Sequence, residues 1–190
     1  MAHRPAVDAE EFWAIVEAAR ADAAPFHEAL TDRLATCTAE TILEFEERFD
    51  ELDGAVYRWD VWATAHLIGG GCSDDGFTDF RAGLIALGRH WYARAAQSPD
   101  NLADHPDVLQ TATEPRRHPV FYEQAAHAAG QAYTQVTGGN SDDFHDTWDR
   151  YRTSHGIQDT PPDLGEDFDF DDADQMHRRL PRLAALYLGG

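Results

Sequence analysis

Lysine is missing from this chain of 190 residues: all fifteen of its basic residues are arginine. Against them stand 35 acidic residues, giving a formal net charge of −20. A surface of that sign repels polyphosphates and anionic lipid, which excludes the common nucleic-acid and membrane-surface binders. Cysteine is nearly absent too. Cys37 and Cys72 are too few and too far apart for a disulfide framework or a ligand spacing, so reduced thiols are expected. No apolar run approaches the ~18 residues of a membrane span. The opening "MAHRPAVDAEEFW" lacks the apolar core of a secretion signal. These absences predict a cytoplasmic protein with no membrane or nucleic-acid partner. Its alanine-, arginine-, aspartate- and glycine-rich, lysine-free composition points to a GC-rich bacterial genome. GxxxxGK[ST], GxGxxG, GxSxG and HExxH are all missing, and the ten histidines are scattered. No cofactor or metal is therefore expected.

The chain does hold enough apolar residues, 43%, to build a sizeable core, and its five Trp and ten Phe argue against disorder. Their spacing is helical. Asp8 stands as N-cap, with Glu11 three residues on, before the stripe Phe12, Ile15, Val16 and Ala19. Pro25 opens a short second helix, which runs to about Ala35. Thr38 caps a third, where Ile42, Phe45, Phe49, Leu52 and Val56 form the apolar face and Glu44, Glu46, Glu47 and Arg48 lie off it. From Ala55 to Ile68 apolar groups occur on most sides, which predicts a central helix ended by Gly69–Gly71. The next helix is expected over 74–97, with Gly83 and Gly88 inside it, where each costs roughly 1 kcal/mol relative to Ala. Close approach of another helix or a ligand would explain both. "SPDNLADHP" and "TATEPRRHP" read as loops. Helices return at "VFYEQAAHAAGQAYTQV", at "DDFHDTWDRYRT" and, as a short helix docking back, at "QMHRRLPRLAALYL". Between the last two, residues 159–175 carry eight acids and no base, the composition of an acidic linker. The predicted fold class is all-α: a compact multi-helix single domain over 1–158 with an acidic, partly irregular C-terminal extension over 159–190.

The stretch "GGGCSDDGFTDF", 69–80, concentrates the chemistry. Its core "GGCSDD" returns as "GGNSDD" at 138–143, each time between two predicted helices. A common reason is helix initiation: Ser73 or Ser141 accepts from otherwise unpaired N–H groups, and the Asp pair meets the positive end of the helix dipole. The first copy carries more than capping needs. Asp75 and Asp79 are four apart on one face, a pair able to take a cation or an arginine, and Arg81 and Arg89 are expected on the same helix. Cys72 beside a helix start, with His66 nearby in sequence, admits an activated thiol. In the preceding helix Arg58, Asp60 and His66 need partners if buried. The candidate polar site is therefore Arg58, Asp60, His66, Cys72, Ser73, Asp74, Asp75, Asp79, Arg81 and Arg89, with Tyr57, Trp59 and Trp62 as pocket aromatics. The alternatives are a mutually neutralising Asp–Arg network and a solvent-filled reactive pocket.

"EFWAIVEAAR", "YRWDVWATAHLIGGGCSDDGFTDFRAGLIALGRHWY" and "SPDNLA", in that order, resemble the bacterial family catalogued as domain of unknown function 4240, over about residues 11–138. The resemblance implies a helical module, marks 57–100 as its signature, and assigns no catalytic residue. Two functions remain open. One is a non-enzymatic interaction or regulatory module with a protein partner, a basic one being suited to the acidic surface, of which an immunity or inhibitor protein for a basic toxin is a special case. The other is a small tailoring or hydrolytic enzyme with a polar pocket between helices 57–68 and 74–97.

Overall fold

The structure is a computed structural model, and it describes residues 7–113 and 120–189. Among these every regular element is a helix, in keeping with the all-α reading. The chain gathers into two compact units, one of residues up to Leu52 with Gln124–Pro161, the other of Asp53–Glu123 with Pro162 onward.

In the first unit, α1 (Ala9–Arg20) starts where Asp8 accepts from the N–H groups of Glu10 and Glu11. Its apolar stripe is buried at Phe12, Val16 and Ala19, with Phe12 stacked on Phe45 at 4.6 Å. Pro25 is the N-cap of α2 (Phe26–Leu34), and Thr38 Oγ1 accepts from the N–H of Thr41 at the start of α3 (Ala39–Ala55). Ile42, Phe45 and Phe49 are buried as their spacing requires. Two acids on α3 depart from expectation: Glu44 and Glu47 are buried, at 2% and 7% exposure. Glu47 is stabilised by Arg152 of α10 (Ser141–His155), whose Nε lies 3.2 Å from its carboxylate. Burial still raises the Glu47 pKa, against the pull of Arg152. The short α8 (Glu123–Ala126) leads into α9 (Ala128–Thr137), which packs on α2 and α10.

The second unit centres on α4 (Trp59–Gly69), with Val61, Ala63, Thr64, Ala65, Leu67 and Ile68 buried. The helix predicted over 74–97 is instead two, α5 (Asp74–Ala86) and α6 (Arg89–Gln97). They separate at Gly88, whose φ of +87° suits glycine far better than a side-chain-bearing residue. Gly83 does lie within α5, and the reason is close approach: a Cβ there would fall 1.4 Å from the carbonyl oxygen of Val120. The Val120–Tyr122 segment rests on α5, with the Tyr122 N–H donating to the Asp79 carbonyl at 3.0 Å.

"SPDNLADHP" forms a 3-10 helix, Pro99–Asp104, followed by α7 (Pro106–Thr113). Of the predicted loop 111–119, residues 114–119 lie outside the described residues. The C-terminal stretch is two helices, α11 (Ala173–Arg179) and α12 (Pro181–Tyr187), the break falling where Pro181 opens the second. Met176, Leu180, Leu183 and Ala184 are buried. Burial contributes about 1.5–3 kcal/mol for each large apolar side chain. The buried carboxylate of Asp100 fixes α12 in place, accepting from the N–H of Arg182 at 3.1 Å and of Leu183 at 2.9 Å. Residues 157–169 have no helix, yet they are not all solvent-facing, since Phe168 is buried with the Arg179 guanidinium 4.5 Å above its ring.

Candidate functional site

All of the candidate polar residues belong to the second unit, most of them on α4, α5 and the turn between them. The turn between these helices follows from its sequence. Gly70, at φ +65°, ends α4 in the left-handed region. Ser73 Oγ accepts from the Gly76 N–H at 3.2 Å and so starts α5, with Asp74 and Asp75 exposed in the first turn. The second copy behaves differently. Asn140, not Ser141, caps α10, and the Asp143 carboxylate reaches back to the Asn140 N–H in a full capping box.

The arginines point at acids of the same unit. Arg58 grips Asp60 with two donors, Nε at 3.0 Å and Nη2 at 3.3 Å, and gives Nη1 to the Ala96 carbonyl at 3.0 Å. Arg81 is bonded to the carboxylate and the carbonyl of Asp53, with the two side chains 12% and 19% exposed. The Arg81 guanidinium centre also sits 4.6 Å from the Tyr57 ring and 5.2 Å from the Phe77 ring, both cation–π distances. Asp53 is a partner that sequence reasoning missed. It lies 28 residues before Arg81, in the last turn of an amphipathic helix, and no local signal connects the two.

The face between α4 and α5 is aromatic. Trp62 stacks on Phe77 at 4.7 Å with 14° between planes, and Tyr57 packs on Phe77 at 5.6 Å. Trp59 stacks on Trp62 at 5.5 Å. These stacked rings lie between the two helices where the enzyme reading places a polar pocket. The Trp62 indole N–H donates to the Cys72 carbonyl at 3.3 Å and ties the turn to α4.

Cys72 lies beside a helix start, where activation would call for a lowered thiol pKa, and the shift runs the other way. Desolvation, helped by the nearby charges of Asp79 and Asp74, pushes its pKa up to about 11. Asp75 and Asp79 are not joined by a third ligand; among the described residues no group of three or more His, Cys, Asp or Glu is arranged to hold a metal ion. Arg89 falls on α6 rather than on the Asp75 helix and is exposed.

His66 is the member of the set that lines an open groove. This groove, of about 230 Å³, is bounded by His66, Leu67, Gly70, Phe170, Asp171, Ala173, Tyr187 and Leu188. Its imidazole Nε2 lies 3.7 Å from Asp171 and its ring 5.7 Å from Phe170. The first unit has a cleft of its own, of about 390 Å³, with His127, Gln131, Ser141, Phe144 and His145 among its lining residues.

Fold and site together describe an all-helical protein whose central turn is held by caps, ion pairs and stacked aromatics. The chain belongs to the family described as protein of unknown function (DUF4240), whose pattern covers residues 7–135. No curated protein and no solved structure matches it. No helix among the described residues is long and apolar enough to cross a membrane.

Proposed function

We propose that the chain is a non-enzymatic, cytoplasmic helical interaction module whose partner is a basic protein. One observation carries this reading. The guanidinium groups of Arg58 and Arg81 are held by Asp60 and Asp53, so these two cations are used inside the fold while the chain keeps a net charge of −20. Exposed carboxylates on residues such as Asp74, Asp75, Glu166 and Asp171 offer a cationic surface long-range attraction and fast association.

The test is affinity capture with the intact chain at low salt, followed by elution across a salt gradient from about 0.05 M to about 0.5 M, over which the Debye length contracts strongly. The expected result is a basic protein that elutes as salt rises and whose capture weakens when Glu166, Asp167 and Asp169 become Gln, Asn and Asn. Truncation after Gln158 is a poorer variant, because it removes the buried Met176, Leu180 and Leu183 together with the acids. Salt-insensitive capture of a neutral or acidic protein would contradict the electrostatic basis of the reading.

A further inference from the structure

The exposed side of α4 is covered by a segment that is not helical and that lies beyond the family pattern. Residues 7–135 carry the pattern and include α4, whereas residues 164–171, "LGEDFDFD", come later. Within the second unit this segment straps across the Trp59–Trp62–His66 side of α4 at three points. The Leu164 carbonyl accepts from the Trp59 N–H at 3.0 Å, one of the first-turn N–H groups that have no partner within a helix. Phe170 meets the Trp59 ring edge-on at 6.1 Å and the His66 ring at 5.7 Å. Asp171 faces His66 at 3.7 Å. Phe168 packs against Phe170 at 5.2 Å and beneath Arg179.

Side chains alternate along the strap. Phe168 is buried and Phe170 half-buried, while Asp167, Asp169 and Asp171 are exposed. The Glu166 and Asp171 side chains are 80% and 91% exposed. What α4 meets is therefore one carbonyl, the Phe170 ring and the carboxylate directly after it, while the Phe168 ring two positions earlier backs Phe170. The extended segment is held on the helix by one main-chain bond and by ring packing. The strap does not fill its seat, since the 230 Å³ groove remains between Phe170, His66 and Tyr187.

We propose that the Trp59–Trp62–His66 face of α4 is a peptide-docking surface, occupied in cis by residues 164–171, and that it receives in trans an extended segment of a partner protein with the pattern aromatic–x–aromatic–acid. This surface is separate from the electrostatic attraction invoked above: its ligand is recognised by rings, and the strap holds the seat until a competing segment displaces it. Occupancy in cis lowers the apparent affinity for the outside peptide by the fraction of molecules whose face is open.

The probe is a fluorescent peptide of residues 162–172 titrated into the full chain and read by anisotropy. Replacing Phe170 with Ala, which loosens the strap, should tighten peptide binding about tenfold or more over wild type. Adding Trp59→Ala to that variant should abolish the gain. Two outcomes overturn the proposal: no binding to a Phe170→Ala protein that retains its thermal transition, and binding that survives Trp59→Ala. A concentration-dependent wild-type dimer that Phe170→Ala dissolves would make a second copy the occupant, and this too would overturn it. If Phe170→Ala does not fold, hydrogen exchange on the wild type decides. The Trp59 amide should exchange faster than the Ala63 to Ile68 amides through local strap opening; protection equal to theirs would mean that the strap never leaves.

Discussion

Two turns of this protein carry almost the same six residues, Gly-Gly-Cys-Ser-Asp-Asp at 70–75 and Gly-Gly-Asn-Ser-Asp-Asp at 138–143. Each ends a helix on a left-handed glycine, Gly70 at φ +65° and Gly138 at φ +73°. They part at the third residue. Asn140 has a side-chain acceptor, so it takes the first N–H groups of α10, and the helix begins at Ser141. Cys72 has no such acceptor, so the cap passes to Ser73 and α5 begins one residue later relative to the motif. The surroundings differ as well. The first turn is tied to Trp62 and followed by a helix that the Val120–Tyr122 segment crosses closely, whereas the second is exposed over its length. The same motif therefore initiates a helix in both places. Its neighbours, not the motif, make the first copy central to a packed junction.

The sharpest way to break this contrast is at Gly83. Gly83→Ala drives a Cβ into backbone and should cost more than about 3 kcal/mol in denaturant unfolding, above the usual range for overpacking. Gly130→Ala, near α10, meets only the movable Phe144 ring at 3.2 Å and should cost about 1 kcal/mol. Next comes Arg81→Ala, which leaves the Asp53 carboxylate without its main partner and should cost about 3 kcal/mol by the same measurement.

Cys72 should be slow to alkylate at neutral pH. A pKa near 11 rather than 9.0 lowers its thiolate fraction on the order of 100-fold, and the rate should climb as pH approaches 11. The caps follow. Ser73→Ala and Asn140→Ala should each cost about 1 kcal/mol, and Cys72→Asn should move the start of α5 back by one residue, visible in backbone chemical shifts. Smallest of all is Asp75→Asn, an exposed change that should stay within about 0.5 kcal/mol. A loss of several kcal/mol there would mean that the acid pair has a role beyond the helix start.

Much of this junction was legible from local pattern. The caps at Asp8, Thr38 and Ser73, the glycine stop after α4 and the buried stripe of α3 all follow from residues within a few positions of one another. Long-range pairing was not legible. Asp53 meets Arg81 and Asp100 meets the start of α12 across 28 and 82 residues, and a carboxylate on a turn or a helix end gives no sign of which donor it will face. Glu44 and Glu47 looked like solvent-facing acids because the stripe accounts only for the apolar side of α3. Tertiary packing against α10 brought Arg152 to Glu47. The break at Gly88 was missed because the apolar spacing continues in step from Leu84 through Trp91. The acidity of 159–175 suggested a solvated linker. The alternation of Phe with Asp within it is the feature that places rings inward and acids outward.

The central claim is that Arg58 and Arg81 are bound to acids of the fold rather than held for a substrate. A double-mutant cycle on Asp53→Ala and Arg81→Ala, measured by denaturant unfolding at neutral pH, tests it most directly. The account predicts a coupling energy of about 1.5–3 kcal/mol between the two residues. Additive losses, equal within about 0.5 kcal/mol to the sum of the single changes, would contradict it.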